Sequence, residues 1–153
     1  MSDLVHLANP KDAGAIAGLL HDLHREFNEP TPPPSELAER IRLLIDSGET
    51  LVLLADDGPG GLAVLRFRPT IWSAGLECYL AELYVVPQLR GHGLGRALME
   101  AALAEARKQG ADSMEIGVDE PDVVARRLYE SLGFSNREGG PAGPLMYFYE
   151  LEL

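Results

Sequence analysis

Hydrophobic positions recur along this chain with two periods, near two and near 3.6 residues, and the switches between them predict its elements. Leu4 to Ala8 reads as a first strand. Ile16, Leu19, Leu20, Leu23 and Phe27 then share one side of a helix predicted from Ala13 to Phe27, with Asp12 as its N-cap. Asn28 to Ser35 holds four prolines and predicts an extended, stiff connection. Ser35 is expected to cap a second helix with the stripe Leu37, Ile41, Leu44 and Ile45, ended by Gly48. Thr50 to Ala55 and Leu62 to Arg68 alternate as strands around a turn over residues 56–61. A loop carrying Trp72 leads to a long strand, Leu76 to Val86. Its alternate residues cannot all be apolar and inward, so a bulge is expected near Glu82.

The C-terminal half repeats the alternation. A helix running to about Gln109 buries Met99, Ala102, Leu103 and Ala106. Asp112 to Val118 is a fifth strand. Pro121 suits the first residue of a last helix, with Ala125, Leu128, Tyr129 and Leu132 on one face and Gly133 at its end. Phe134 to Arg137 and Leu145 to Glu150 are expected to close the sheet as a hairpin around a mobile Gly/Pro-rich segment, residues 138–144. There is no internal repeat, and residues 1–153 read as a single domain.

Charge and composition narrow the function. A net charge of −11 argues against nucleic acid, which calls for a basic face. It suits a cationic partner, although an acidic surface also serves solubility alone. No run is apolar and long enough to span a membrane, and no signal peptide is recognisable. The single cysteine, Cys78, cannot form an internal disulfide, so a cytoplasmic location is expected. Within a strand, Cys78 reads as a small buried hydrophobe rather than a nucleophile.

The chemistry concentrates in Arg90-Gly91-His92-Gly93-Leu94-Gly95-Arg96, between the long strand and a helix. Glycines let the backbone turn tightly, and helix N-terminal N–H groups attract an anion. A P-loop would need Gly-Lys-Ser/Thr, which is absent. The dinucleotide fingerprint would need a third glycine where Arg96 stands, although Asp112 and Glu115 lie about 20 residues downstream, as a ribose-binding acid would.

Arg90-x-x-Gly93-x-Gly95 resembles the acyl-CoA pyrophosphate loop of the GNAT N-acetyltransferase superfamily. Upstream, Ala81-Glu82-Leu83-Tyr84-Val85-Val86-Pro87 resembles that family's fourth strand. Downstream, Leu128-Tyr129-Glu130-Ser131-Leu132-Gly133-Phe134 matches its Leu-Tyr-Glu-x-x-Gly-Phe signature. The resemblance implies an α/β (α+β) fold: one mixed, mostly antiparallel sheet of six to seven strands, about four helices, and a splayed fourth and fifth strand. It implies transfer of the acetyl group of acetyl-CoA, without a metal, to a primary amine of a small molecule or peptide by direct attack in a ternary complex. A homodimer is the family habit.

Roles follow from the same resemblance. Backbone N–H groups from Arg90 through Gly91, His92, Gly93, Leu94 and Gly95 to Arg96 would cradle the pyrophosphate, with Arg90 and Arg96 adding charge. Leu83, Tyr84 and Val85 would pair with the pantetheine arm, and a backbone N–H near Leu83 or Tyr84 would polarise the carbonyl. Glu82 would be the base, directly or through water; otherwise it binds the ammonium or faces solvent, and Glu77 is the alternative on that strand. Tyr129 would protonate the leaving thiolate, the competing reading being a core residue on an apolar stripe. Family members often carry Asn where Asp122 stands. An aspartate caps a helix equally well but cannot donate to the cofactor arm. His21 and His24 share a helix side without the companions a metal site needs. Asp22, Glu26, Glu29 and Trp72 are candidates for acceptor recognition. Two other readings stay open: a non-catalytic acyl-CoA-binding or regulatory module, and a nucleotide-dependent oxidoreductase.

Overall fold

The computed structural model describes residues 4–55 and 60–153. The first four residues of the expected turn at 56–61 lie outside the described residues. The chain packs as two compact units, residues 1–116 and 117–153.

The first unit is a five-stranded sheet, β1 (Val5–Leu7), β2 (Thr50–Ala55), β3 (Gly61–Pro69), β4 (Leu76–Val85) and β5 (Ala111–Ile116), paired in chain order. The first three pairings are antiparallel and β4 runs parallel to β5. Helices α1 (Ala13–Glu26) and α2 (Pro34–Ser47) cover one face. Their apolar stripe packs Ile16, Ala17, Leu19 and Ile41 against Val52, Leu54, Leu62, Val64 and Tyr84. The intervening residues of the same strands, Leu53, Ala63 and Leu65, are fully buried too. Strand alternation turns them to the other face, where α3 (Leu94–Lys108) brings Leu98, Met99, Ala102 and Ala106. Burial on both faces explains why β2 and β3 are near-continuous apolar runs.

Helix starts are the least legible feature. Asp12 occupies the position before α1 without a side-chain cap bond; its carboxylate instead takes the Asn9 N–H, closing a capping box around a 3-10 turn at Pro10–Asp12. Helix α2 starts on Pro34 rather than after Ser35, since a proline has no N–H to satisfy in the first turn. Gly48 ends it at φ 79°, as expected.

The second unit contains α4 (Val123–Ser131). The helix begins after Asp122 rather than at Pro121; the Asp122 carboxylate accepts the Ala125 N–H at 3.3 Å, the capping role its residue type allows. Gly133 follows the helix at φ 100°.

The expected count of six to seven strands is wrong: the sheet has five. The hairpin anticipated for 134–137 and 145–150 is reduced to one antiparallel bridge, Arg137 to Leu145. Apolar, β-prone residues are present in that run, but among the described residues they find no ladder beyond the bridge.

Candidate active site

The bulge in β4 decides which way the site residues face. Val64 of β3 lies opposite Glu82, while the next residue, Leu65, lies opposite Leu80, so Ala81 is the extra residue. Before it, Cys78 and Leu80 point to the α3 side. After it, Glu82 and Tyr84 share a face with Val64 and Leu62, under α1 and α2. Without the extra residue Glu82 would point the other way. The bulge near Glu82 expected from the sequence is therefore present, and it aims the carboxylate.

Glu82 lines a pocket of about 100 Å³ with Ile16, Leu20, Ile41, Leu44, Thr50, Val52, Val64, Arg66 and Ala81. Burial among these side chains raises its pKa; nearby His24 and Arg66 oppose the shift and Glu29 adds to it. His24 faces the Pro30 carbonyl at 3.1 Å and Glu29 at 3.6 Å, so the end of α1 and the proline connection bring charge to this side of the sheet. Glu77 is committed elsewhere: it pairs with Arg68, which also reaches Glu115.

Beyond the bulge, β4 has one open edge. Its ladder with β5 stops at Leu80 and Ile116, yet β4 continues to Val85. The Val86 N–H donates toward β3, to the Gly60 carbonyl at 3.1 Å. Alternation along the strand then turns the Leu83 N–H and C=O and the Val85 N–H to the open edge, and the Tyr84 N–H toward β3. Of the two residues named for a carbonyl-polarising N–H, Leu83 is the one with suitable direction.

The glycine loop follows through a 3-10 turn at Pro87–Leu89. Gly91 and Gly93 take φ of 80° and 85°, and a Cβ at either would meet no heavy atom within 4 Å. Backbone conformation, not space, calls for glycine there. Gly93 sits at the N-cap of α3 and offers no side chain to the first turn. The N–H groups of that turn therefore face out along the helix axis with the positive end of the dipole. Gly95 lies within the first turn, His92 is exposed, and Arg96 stands 4.0 Å from Glu100.

Arg90 turns away from the loop it begins. Its Nη2 donates to Glu26 Oε1 at 2.8 Å and its Nε to the Val85 carbonyl at 2.9 Å, while its guanidinium lies 5.6 Å from the Tyr84 ring centroid. The Tyr84 hydroxyl donates to the same Glu26 oxygen at 3.3 Å. Arg90 holds the Glu26 carboxyl below its ordinary pKa, chiefly through their hydrogen bond. Beside this network is an open depression of about 410 Å³ lined by Asp22, Arg25, Glu26, Tyr84, Val86, Pro87 and Gln88.

In the second unit, Tyr129 is the buried residue of α4 and meets Phe134 edge-on at 6.0 Å between centroids. Burial, reinforced by the Asp122 carboxylate, raises its pKa to about 12. Trp72 is almost fully exposed. Cys78 is buried, with its pKa pushed up to about 11 by burial, which suits a core side chain and not a thiolate nucleophile. Among the described residues no three His, Cys, Asp or Glu side chains gather as a metal site, and no helix is long and apolar enough to cross a membrane.

Gly61 went unnoticed in the sequence because it reads as one more turn residue. It lies opposite Val85, and a Cβ there would stand 2.5 Å from the Tyr84 carbonyl oxygen. Its absent side chain lets β3 support the strand that carries the open edge.

The dinucleotide reading loses its frame here. The sheet is mostly antiparallel rather than doubly wound, Asp112 is hydrogen-bonded to Ser73, and Glu115 pairs with Arg68. A glycine loop that opens a helix beside a half-paired central strand defines instead an acyltransferase-type fold. The chain belongs to the acetyltransferase (GNAT) family, whose model matches residues 16–134. It is similar to mycothiol acetyltransferase of Thermobispora bispora, 39% identical over 121 residues, 76% of this chain but 35% of that protein. The chain thus spans about a third of that relative. The N-acetyltransferase YhfO of Bacillus subtilis is 27% identical over 137 residues, covering 88% of this chain and 91% of YhfO. A crystal structure assigned to an acetyltransferase from Arthrobacter sp. FB24 superposes with a TM-score of 0.89 at 44% identity, covering 99% of this chain and 97% of that one.

Proposed function

We propose that this chain transfers the acetyl group of acetyl-CoA to the primary amine of a cationic small molecule or peptide, by direct attack in a ternary complex. The observation that carries the reading is the continuity of β4 into the glycine loop. An open strand edge at Leu83 and Val85 runs straight into a helix N-terminus without a side-chain cap. An extended arm ending in a pyrophosphate has both things it needs there: strand-like partners and an anion cradle.

The amine nitrogen attacks the thioester carbonyl carbon; a C–N bond forms and the C–S bond breaks. The Leu83 N–H donates to the carbonyl oxygen as negative charge develops on it. One such donor contributes on the order of 3–4 kcal/mol to the barrier. An alkyl ammonium, with a pKa of about 10, must lose a proton before attack. Glu82 takes that proton, directly or through a water. Its raised pKa makes it a stronger base than an exposed carboxylate, and the acidic groups at the end of α1 favour a cationic acceptor. The departing sulfur takes its proton or a hydrogen bond from Tyr129, assigned on its place in the Leu-Tyr-Glu segment, and the second proton, which the nitrogen sheds once the C–N bond has formed, passes to solvent or back to the phenol through water. Asp122 remains the cap of α4. Arg96 is the side chain offered to the phosphates, while Arg90 braces the loop.

Thiol release from acetyl-CoA, screened across diamines, amino sugars and peptide N-termini, tests the activity. Turnover with a subset of amines is expected. Acetyl-CoA binding without turnover on any amine would instead support a non-catalytic module, and no binding by calorimetry overturns both readings.

A further inference from the structure

We infer that the acceptor amine belongs to an aliphatic α-amino acid, with its side chain in the pocket under α1 and α2, its ammonium against Glu82 and its carboxylate held by Arg66 and Thr50. The inference rests on the acetyl-transfer reading above and narrows its acceptor, the ammonium being the cationic part.

The pocket holds two opposite charges that do not close on each other. Glu82 lies opposite Val64 in the ladder, and Arg66 stands two residues further along β3 on the same face. They are diagonal neighbours across the bulge, within reach of long side chains, and both line the pocket. Burial raises the Glu82 pKa, and the charges of His24 and Arg66 oppose that rise. Arg66 nevertheless makes no ion pair or hydrogen bond through its side chain among the described residues. Arg68, next on that face of β3, is by contrast committed to Glu77 and Glu115. A carboxylate and a guanidinium facing one space without a bond between them suit a ligand that carries both signs.

Thr50 adds a polar group aimed into the same space. It lies opposite Arg66 in the ladder, lines the pocket and is 5% exposed. Its hydroxyl makes no hydrogen bond among the described residues. No fully enclosed side-chain oxygen or nitrogen lacks a partner there, so this oxygen keeps contact with the space it lines. A hydroxyl beside a guanidinium makes a carboxylate receptor, since both donate and one supplies the countercharge.

The wall sets the remaining part of the ligand. Ile16, Val52 and Ile41 are buried and form the base, while Leu44 is exposed at the rim. A six-carbon ring occupies an apolar cavity of about 150 Å³, so the roughly 100 Å³ here takes about four carbons. An α-amino acid joins these features, because ammonium, carboxylate and side chain leave a single carbon. A diamine would turn its second ammonium toward a guanidinium, and a peptide N-terminus carries an uncharged carbonyl where the carboxylate would sit. The transfer balances as before: the α-ammonium loses two protons in all, one of them to the departing sulfur, giving the N-acetyl amino acid and the free thiol.

Initial rates of thiol release with leucine, leucinamide and isopentylamine test the pocket. Leucine should exceed the other two in kcat/KM by about ten- to a hundredfold, the scale of hydrogen bonds to a charged group. From glycine through alanine and valine to leucine kcat/KM should climb, and it should fall at tryptophan, which is too large. Arg66→Gln should bring the ratio of leucine to leucinamide close to unity. Thr50→Val should lower that ratio about two- to tenfold without loss of melting temperature, because the hydroxyl removed has no protein partner. A purely structural Thr50 would lose stability and leave the ratio unchanged. Turnover of leucinamide, isopentylamine or a diamine equal to that of leucine overturns the inference and leaves the acetyltransferase reading standing. Should no amine turn over although acetyl-CoA binds, the transfer reading fails. Calorimetric titration then decides the pocket alone: leucine binding tighter than leucinamide upholds the amino-acid site, and equal affinity or no binding overturns it.

Discussion

Arg90 and Glu26, 64 residues apart, are joined at 2.8 Å, so the first residue of the glycine loop is tied to the last residue of α1. The same guanidinium caps the Val85 carbonyl at the end of β4. One side chain thus links the open strand edge, the loop and the helix flanking the acidic side of the sheet. Two roles for Arg90 predict opposite signs. If it braces the loop, Glu26→Gln loosens the cradle, and the acetyl-CoA KM should rise about three- to tenfold with kcat nearly unchanged, the scale of a partly exposed ion pair with added hydrogen bonds. If it is a phosphate ligand held back by Glu26, the same change releases it and KM falls. A fall, measured by initial rates or direct titration, rejects the brace.

This brace shows where sequence reading stops. Arg90 was legible as part of a motif, and Glu26 as an acidic residue near the end of a helix, but nothing local in either segment joins them. The loop, the strand before it and the bulge near Glu82 were legible because glycine conformations and broken alternation are local signals. The direction of Glu82 was not: it depends on Ala81 being the extra residue, which only pairing with β3 reveals. Gly61 was missed for the same reason, since its role lies across the ladder. The strand count fails because strand propensity in residues 145–150 does not by itself supply a partner, and only the Arg137–Leu145 bridge forms.

Glu82 gives a prediction in which stability and activity move oppositely. Its carboxyl has a raised pKa, so the folded state binds the proton more readily than the unfolded chain. Stability from this group is fully present below the unfolded pKa and is lost as pH rises through the folded one. Glu82→Gln should therefore be more stable than the parent at pH 7, with the gap closing toward pH 4 in urea melts. Its kcat/KM should drop by about 10²–10⁴ and lose the acid limb. A variant that is destabilised at neutral pH, or that keeps the parent profile, contradicts a buried base.

Glycine substitutions should separate loop from sheet. Gly93→Ala places a Cβ at φ 85° with no neighbour in the way, so its cost is conformational, roughly 1–2 kcal/mol. The acetyl-CoA Kd should rise with it if the first turn of α3 is the cradle, as proposed. Gly61→Ala instead drives a Cβ against the Tyr84 carbonyl and must displace β4. It should weaken acetyl-CoA binding although the residue touches no part of the loop. Thermal melts with and without acetyl-CoA read both effects; unchanged ligand-induced stabilisation in Gly61→Ala would detach that glycine from the open edge.

If Tyr129 is the acid proposed for the leaving thiolate, its phenol sets the alkaline limit. At about 12 its phenol lies several units above a thiol of about 8.5, so it stays protonated where the enzyme works, yet complete proton transfer to the sulfur is uphill. A hydrogen bond that strengthens as the C–S bond breaks is the better description, and Tyr129→Phe should lower kcat by about 10², the low end of general acid catalysis, with KM little changed. Activity that needs the protonated phenol is lost as pH rises through its pKa, so no decline of kcat from this group should appear below about pH 11. Asp122→Asn tests the cause. It keeps a good cap for α4 but removes the carboxylate that helps raise the phenol, so the alkaline fall of kcat should move to lower pH while the melting temperature changes little. A pH–rate profile in which Asp122→Asn and the parent coincide, or in which Tyr129→Phe retains the parent kcat, removes the tyrosine from the chemistry and leaves it as the core of α4.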